Sequence, residues 1–179
     1  MGKNIAYGAV FGVLWGITEG IIGTLFHRIH LPFTGEILSA LAILILSFTY
    51  LKSSKKEVII ITGIIAIIIK LTFMGSIFIG PVISIGLLSL LFYAGLVTFT
   101  GKKAIYFAGI LAGSWSPFYF GIIKLKFIGP ELLTLYEKMF KKIGIIIQPT
   151  PLIIIIFIVG WVLALLGVLG AIWLEKEIV

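Results

Sequence analysis

The sequence predicts an all-α membrane protein with six transmembrane helices, and three observations support this prediction. Hydrophobic residues make up 60% of the 179, and the mean hydropathy is +1.24. Only 12% of the residues are charged, whereas a soluble domain carries about 25%. The charges form short islands between long uncharged runs, each close to the roughly 20 apolar residues that a spanning helix needs. We therefore interpret residues 1–179 as a single integral membrane domain.

Six apolar runs are long enough to cross a bilayer, although the second is short. The third run contains Lys70, and we extend it beyond this lysine because Gly80 and Pro81 form a better turn. Pro81 also suits the first position of the next helix. An even number of spans places both termini on one side of the membrane. The predicted spans are 5–26, 36–51, 58–79, 81–99, 104–123 and 152–174.

The long fifth loop, residues 124–151, contains a predicted amphipathic helix. In "GPELLTLYEKMFKKIG" the apolar residues recur at helical spacing, and the charged residues occupy the other face. Pro130 can open this helix and Gly144 can close it. We expect the helix to lie in the membrane interface.

The 14 basic residues divide equally between the two sides of the predicted topology, so their count does not orient the protein. The compact basic turns at 52–57 and 101–103 favour cytoplasmic termini in a multi-pass cell-membrane protein. The net charge of +7 indicates contact with anionic lipid headgroups in the bilayer and gives no sign of nucleic-acid binding.

Four glycines at four-residue spacing follow one face of the first predicted helix: Gly8, Gly12, Gly16 and Gly20. Helices in lipid associate through close backbone packing, which small residues permit. This strip therefore predicts a groove for a second helix, which belongs either to a separate partner protein or to an internal seam. Similar small-residue faces occur in the fifth and sixth spans, at Ala104, Ala108 and Ala112 and at Gly160, Ala164, Gly167 and Ala171.

Glu19 and Lys70 are the ionisable residues within the first and third predicted spans. Counted from the start of their spans, they rise about 21 and 18 Å, so they lie at matching depths. Charges at this depth usually face the protein interior and pair with one another. The two residues therefore form an ion pair, or one or both contact a polar solute.

The fifth span carries polar and aromatic residues at the same level, in "GSWSPFYFG". Pro117 lacks an N–H, which frees a backbone carbonyl and bends the helix. Trp115 and Tyr119 lie one turn apart, and Ser114 and Ser116 flank the tryptophan. This pattern fits a site for a small ring compound; an interfacial aromatic belt with an ordinary proline kink is the alternative.

Metal and enzyme chemistry are not expected. His27 and His30 precede Glu36 at a spacing that suits a transition metal, but we place both histidines in a loop beside Arg28, which disfavours a cation. The chain also lacks a Walker A sequence, an HExxH motif and a nucleophile elbow. We therefore expect no enzyme activity, no metal and no resident cofactor.

The whole pattern resembles the S component of an energy-coupling factor (ECF) transporter, the substrate-binding membrane subunit of that importer class. The shared features are about 180 residues, six spans, a small-residue stripe in the first helix, and long first and fifth loops. In that family the first helix contacts a coupling (T) subunit through an Ala-x-x-x-Ala motif. The resemblance implies that Gly8, Ala9, Gly12 and Gly16 dock this partner, with glycine in place of the usual alanine.

The resemblance also implies that the protein captures a vitamin-like small molecule outside the cell. The coupling subunit and two ABC ATPases would then reorient it toward the cytoplasm, with the fifth-loop helix as a lid or an interfacial anchor. A stand-alone carrier that uses Glu19 as a cation relay, and a structural subunit of a membrane complex, remain alternative functions. The candidate substrate-binding residues are Glu19, His30, Lys70, Ser114, Trp115, Ser116 and Tyr119.

Overall fold

The computed structural model describes residues 2–29, 33–73, 79–119, 134, 137–138, 140–141, 144 and 149–178, and every element in this part of the chain is helical. The all-α class is therefore confirmed. The helices are α1 (Gly2–Arg28), α2 (Thr34–Ser53), α3 (Glu57–Phe73), α4 (Ile79–Thr98), α5 (Lys102–Gly113), α6 (Trp115–Phe118) and α7 (Pro149–Ile178).

Within the described residues, four helices are long and apolar enough to cross a membrane: Gly2–Phe26, Thr34–Ser53, Gly80–Thr98 and Ile154–Ile178. They indicate a membrane-embedded protein, while the predicted count of six spans is not confirmed. Helix α3 has 17 residues, or about 26 Å at 1.5 Å per residue, slightly less than a hydrocarbon core of about 30 Å. Helix α5 has 12 residues and ends before the proline-containing segment.

Several predicted boundaries need correction. Helix α1 continues through His27 and Arg28, which we had expected in a loop; neither residue type breaks a helix, so polarity alone was a poor boundary signal. Helix α2 has 20 residues and begins after Phe33, which adopts a left-handed conformation with φ of 60°. Ile79 opens α4 instead of ending the third span, and α3 ends at Phe73, within a turn of Lys70.

The long helices alternate in direction, so the start of α1 and the end of α7 lie at one end of the bundle. Helices α1 and α3 are parallel, because Gly8 lies against Ile61 and Gly20 lies against Phe73. Helix α4 runs opposite to α3, and α7 runs opposite to α5. We call the end that carries the termini the proximal end and the other end the distal end.

Helix α2 holds the centre of the bundle. It contacts α1, α3, α4, α5 and α7. Of the most apolar 18-residue stretch of α2, 56% of the residues are buried, against 28% for α1. The core around it contains fully buried large side chains, including Ile43, Leu46 and Phe92. Its central position lets the first turns of α2 reach residues on both sides of the distal end.

The glycine strip of α1 is an internal seam with α3. Its four members are buried against that helix: Gly8, Gly12, Gly16 and Gly20. A Cβ on Gly12 would lie 2.7 Å from Ile65 Cβ, and one on Gly16 would lie 2.6 Å from Ile69 Cβ. Real Cβ atoms do not approach so closely, so only glycine permits this packing. In this structure the strip is therefore not open to a separate partner protein, which corrects the predicted docking surface; Ala9 beside it is half-buried.

The other two small-residue faces are internal as well. Ala104, Ala108 and Ala112 of α5 are fully buried, and Ala108 lies directly against Gly95 of α4. On α7, a Cβ on Gly167 would lie 2.6 Å from the carbonyl oxygen of Ala40 in α2. All three faces therefore serve close helix packing inside the bundle.

The proline in the fifth segment interrupts the helix without opening a gap. The backbone N–H of Ser114 donates to the Ile110 carbonyl at 3.0 Å, and that of Phe118 donates to the Ser114 carbonyl at 3.1 Å. The Gly113 carbonyl, which Pro117 cannot bond, faces Gly160 of α7, where a Cβ would lie 3.4 Å away. The freed carbonyl is thus enclosed by α7.

Candidate functional site

The Glu19–Lys70 ion pair joins α1 to α3 near the distal end. The Lys70 ammonium lies 3.8 Å from Glu19 Oε2, and the two side chains are only 7% and 15% exposed. The ammonium also donates a hydrogen bond to the main-chain carbonyl oxygen of Glu19. The matching depths predicted from the sequence are therefore confirmed.

Gly23 lies beside this pair. A Cβ on Gly23 would lie 3.6 Å from both Glu19 Oε2 and Lys70 Nζ, and 3.4 Å from Leu38 Cδ1 of α2. These are ordinary van der Waals distances, so the ion pair and the second turn of α2 both pack around Gly23.

A second buried carboxylate lies at the start of α2. Glu36 is 4% exposed, and Ser116 Oγ of α6 donates to its Oε1 at 3.1 Å. Gly35 allows this approach, because a Cβ there would lie 2.5 Å from Ser116 Oγ. The predicted site residue Ser116 is therefore held by an acidic partner from α2.

The aromatic residues of the broken segment form a small stack. The ring centroids of Trp115 and Tyr119 are 5.6 Å apart with an interplanar angle of 32°, and those of Trp115 and Phe118 are 6.3 Å apart at 29°. Trp115 Nε1 is buried and has no hydrogen-bond partner among the described residues. A buried donor without an acceptor is costly, and Trp15 Nε1 and Ser47 Oγ in the core are buried in the same way.

The Ser114 hydroxyl is used in hydrogen bonds that hold the helices together. Its hydroxyl donates to the Ile110 carbonyl at 2.9 Å and accepts a hydrogen bond from Trp161 Nε1 of α7 at 2.9 Å. Both bonds fix the broken segment against α7. The hydroxyl is therefore already engaged, unlike the neighbouring Trp115 indole.

The fifth-loop segment reaches the distal end through one aromatic contact. Phe140 is 3% exposed, and its ring lies 5.3 Å from that of Phe33, which precedes α2. Gly144 has φ of +80° and donates its N–H to the Lys141 carbonyl at 3.1 Å. This left-handed turn fits the predicted helix end at Gly144; most of the predicted amphipathic helix lies outside the described residues.

In the described part of the chain, the predicted site residues fall into two groups. Glu19 and Lys70 form one pair, and the other group lies on α6 or directly beside it: Ser114, Trp115, Ser116 and Tyr119. His30 lies outside the described residues. In the part of the chain that the structure describes, no three His, Cys, Asp or Glu side chains converge on a metal position.

Sequence reasoning missed Glu36 as a site residue, and also Trp161. The sequence singled out Glu36 only beside His27 and His30 as a metal-ligand candidate, and an acidic residue in the first turn of a helix is ordinarily explained by the helix dipole. Its partner Ser116 lies 80 residues away in the chain, so no local pattern could reveal the contact. We define the distal cluster as two groups that share the distal end of the bundle: the Glu19–Lys70 pair, and Glu36 with Trp115, Ser116 and Tyr119.

Comparison with known proteins adds no identification. No protein-family model, no curated protein and no solved structure matches this chain. The assignment of a function therefore rests on the distal cluster and on the resemblance in overall pattern.

The close contact of Ser116 with Gly35 and Glu36 can be tested by stability alone, without an assay of function. We expect Gly35→Ala to break the Ser116–Glu36 hydrogen bond and to lower stability by about 1–2 kcal/mol, because the added methyl takes the space of the hydroxyl. The measurement is the unfolding free energy in detergent micelles. The control is Ser116→Ala, which should reduce the effect of Gly35→Ala; full additivity of the two changes would contradict the contact.

Proposed function

We propose that this protein is a solute-binding membrane transport protein whose distal cluster holds a small ring compound. The observation that carries the proposal is the burial of Glu19, Lys70 and Glu36 at one end of a bundle whose other buried polar side chains, among the described residues, are serines and threonines. Ionisable groups within a membrane protein are costly and commonly mark substrate or ion pathways.

The cluster offers chemistry suited to such a compound. The carboxylates of Glu19 and Glu36 accept hydrogen bonds, Lys70 donates, and the Trp115 indole supplies both a flat face and a donor. The Trp115 and Tyr119 rings are tilted by 32°, so a planar ligand would stack on one of them. Aromatic faces with a few polar groups are typical of small-molecule sites.

The specific form that we propose is the S component of an ECF importer, which takes up a vitamin-like compound. It would require a membrane coupling subunit and two ABC ATPases. Because α3 covers the glycine strip, we place the docking contact on the exposed side of α1, which carries Val10, Val13 and Ile17 next to the half-buried Ala9. This placement differs from the one that the resemblance implied.

A stand-alone carrier is the second candidate, and the Glu19–Lys70 pair favours it. A proton or cation that reaches Glu19 would displace the Lys70 ammonium and loosen α1 from α3. Uptake into liposomes without any ATPase, lost on Glu19→Gln, would support the carrier over the S component.

The test of solute binding begins with mass spectrometry of small molecules that co-purify with the detergent-solubilised protein. Thiamine, riboflavin and biotin are then added to the emptied protein, and thermal stabilisation is measured. Absence of any co-purified compound, together with no stabilisation by the panel, would favour a structural subunit.

A variant of Glu36 sharpens this test. We expect Glu36→Gln to weaken binding of the co-purified compound about tenfold or more, because a charge-assisted hydrogen bond contributes roughly 1.5–3 kcal/mol. The control is Glu57→Gln, which removes the same charge from an exposed position at the proximal end. Equal affinities for the two variants would remove Glu36 from the site. Affinity is measured by the quenching of tryptophan fluorescence.

A further inference from the structure

A polar cavity lies at the proximal end, far from the distal cluster. It is an open cleft with a volume of about 300 Å³, bounded by the turn between α2 and α3 and the turn between α4 and α5. This volume is at the lower end of the range for small-molecule sites, roughly 300–1,000 Å³. Its lining residues are Tyr50, Ser54, Lys55, Lys56, Glu57, Leu96, Phe99, Thr100 and Gly101.

Two lysines give the cavity its charge. Lys55 is exposed and Lys56 is half-buried, and neither ammonium forms an ion pair or donates a hydrogen bond to a described residue. The neighbouring Lys52 is engaged elsewhere, since its ammonium lies 5.3 Å from the centroid of the Phe48 ring. Glu57 offsets part of the positive charge but leaves an excess of one.

The backbone of the two turns is already hydrogen-bonded. The Ser54 N–H donates to the Tyr50 carbonyl at 2.8 Å, the Ile59 N–H to the Lys56 carbonyl at 3.1 Å, and the Ala104 N–H to the Gly101 carbonyl at 3.1 Å. Helices α3 and α5 begin at this end while α2 and α4 end there, so their helix dipoles offset one another. The positive charge of the cavity therefore comes from the lysine side chains.

The position of the cavity points to the membrane interface. It lies where α2 ends at Ser53 and α4 ends at Thr98. On its apolar side, Phe99 is 44% exposed and its ring lies 4.7 Å from that of Phe107. A phosphate group in the cavity would thus have apolar surface beside it, where the glycerol and acyl chains of a lipid continue into the bilayer.

We propose that this cavity binds a phosphate ester, with an anionic phospholipid headgroup as the main source of the phosphate. The two ammonium groups bind the phosphate oxygens, and the hydroxyl groups of Tyr50 and Thr100 complete the polar lining. The site is independent of the solute site at the distal end. It ties the two proximal turns, and hence α2 to α5, to the headgroup layer.

The test titrates the full-length protein in detergent with phosphatidylglycerol or phosphatidylcholine and counts bound lipids by native mass spectrometry. We expect phosphatidylglycerol to bind the wild type more tightly. The double change Lys55→Gln and Lys56→Gln should weaken it about tenfold or more, because it removes two charge-assisted contacts to the phosphate oxygens. Tyr50→Phe, which removes a single hydroxyl, should cause a smaller loss in the same direction.

The matched control is the pair Lys103→Gln and Lys176→Gln, two exposed lysines at the same end that do not line the cavity. This pair removes the same charge and should change the affinity less than about twofold, because it alters only the long-range field. Equal losses in the two double variants, or equal binding of the two lipids, would overturn the proposal. Size-exclusion chromatography confirms that each variant is folded.

A further arm separates a lipid from a soluble phosphate compound. If the natural ligand is a lipid, millimolar inorganic phosphate will not displace phosphatidylglycerol. Displacement by inorganic phosphate, with loss of that effect in the Lys55/Lys56 double variant, would instead identify a soluble phosphate ester as the ligand of the same site. Failure of the solute test at the distal cluster would leave this result unaffected.

Discussion

Gly12→Ala is expected to destabilise the protein by about 2–3 kcal/mol, because the added methyl has no room between α1 and α3. A Cβ at this position would lie 2.7 Å from Ile65 Cβ and 2.8 Å from the carbonyl oxygen of Thr62. The second contact is decisive, since a backbone oxygen cannot rotate away as a side chain can. The two helices must therefore separate, which weakens contacts along the whole seam.

The matched control is Gly86→Ala in α4, where the nearest atom to a Cβ is Ile67 Cδ1 at 3.7 Å. This is an ordinary van der Waals contact, and alanine is the better helix former by up to about 1 kcal/mol. The control should therefore be neutral or slightly stabilising. Both variants are compared by their unfolding free energies in mixed detergent micelles.

The same pair of variants tests the corrected docking surface. If Gly12→Ala unfolds the protein at lower denaturant while Gly86→Ala does not, the strip serves internal packing. A Gly12→Ala protein that keeps its stability but no longer co-purifies with the coupling subunit would contradict internal packing. The glycine strip would then be the docking surface for the coupling subunit, as the resemblance to S components implied.

The sequence predicted the helical membrane fold and the depth of its charged residues, but not which helix packs against which. Composition was sufficient for the membrane class, and span counting placed Glu19 beside Lys70, because depth follows directly from the rise per residue. The partner of the glycine strip could not be predicted. Glycines at four-residue spacing specify a close approach, but they do not specify whether the approaching helix belongs to the same chain.

Tertiary contacts also account for the site residues that the sequence did not reveal. Ser114 and Ser116 are equivalent in the pattern, yet Ser114 binds Trp161 of α7 and Ser116 binds Glu36 of α2. The difference arises from the crossing of three helices at the break before Pro117. Such a crossing depends on long-range packing and leaves no local periodicity to read.

The largest effect at the distal cluster is expected for Lys70→Met. Removing one partner of a buried ion pair leaves the other charge without compensation, which costs about 3–5 kcal/mol. Here the loss also includes the hydrogen bond from Lys70 to the Glu19 main-chain carbonyl. We expect the unfolding free energy to fall by this amount, whereas Lys103→Met, at an exposed proximal position, should change it by less than about 0.5 kcal/mol.

The double variant Glu19→Gln and Lys70→Met separates stability from function. Replacing both charges with neutral side chains of similar size removes the uncompensated charge, so the double variant should recover most of the stability that Lys70→Met loses. If Glu19 contacts the solute, this stable double variant will bind the co-purified compound at least about tenfold more weakly. Unchanged binding by a stable double variant would assign the pair to the α1–α3 seam alone. Once stability is restored, the affinity for the solute depends on these two charges only if they contact the solute. A purely structural ion pair would leave the affinity unchanged.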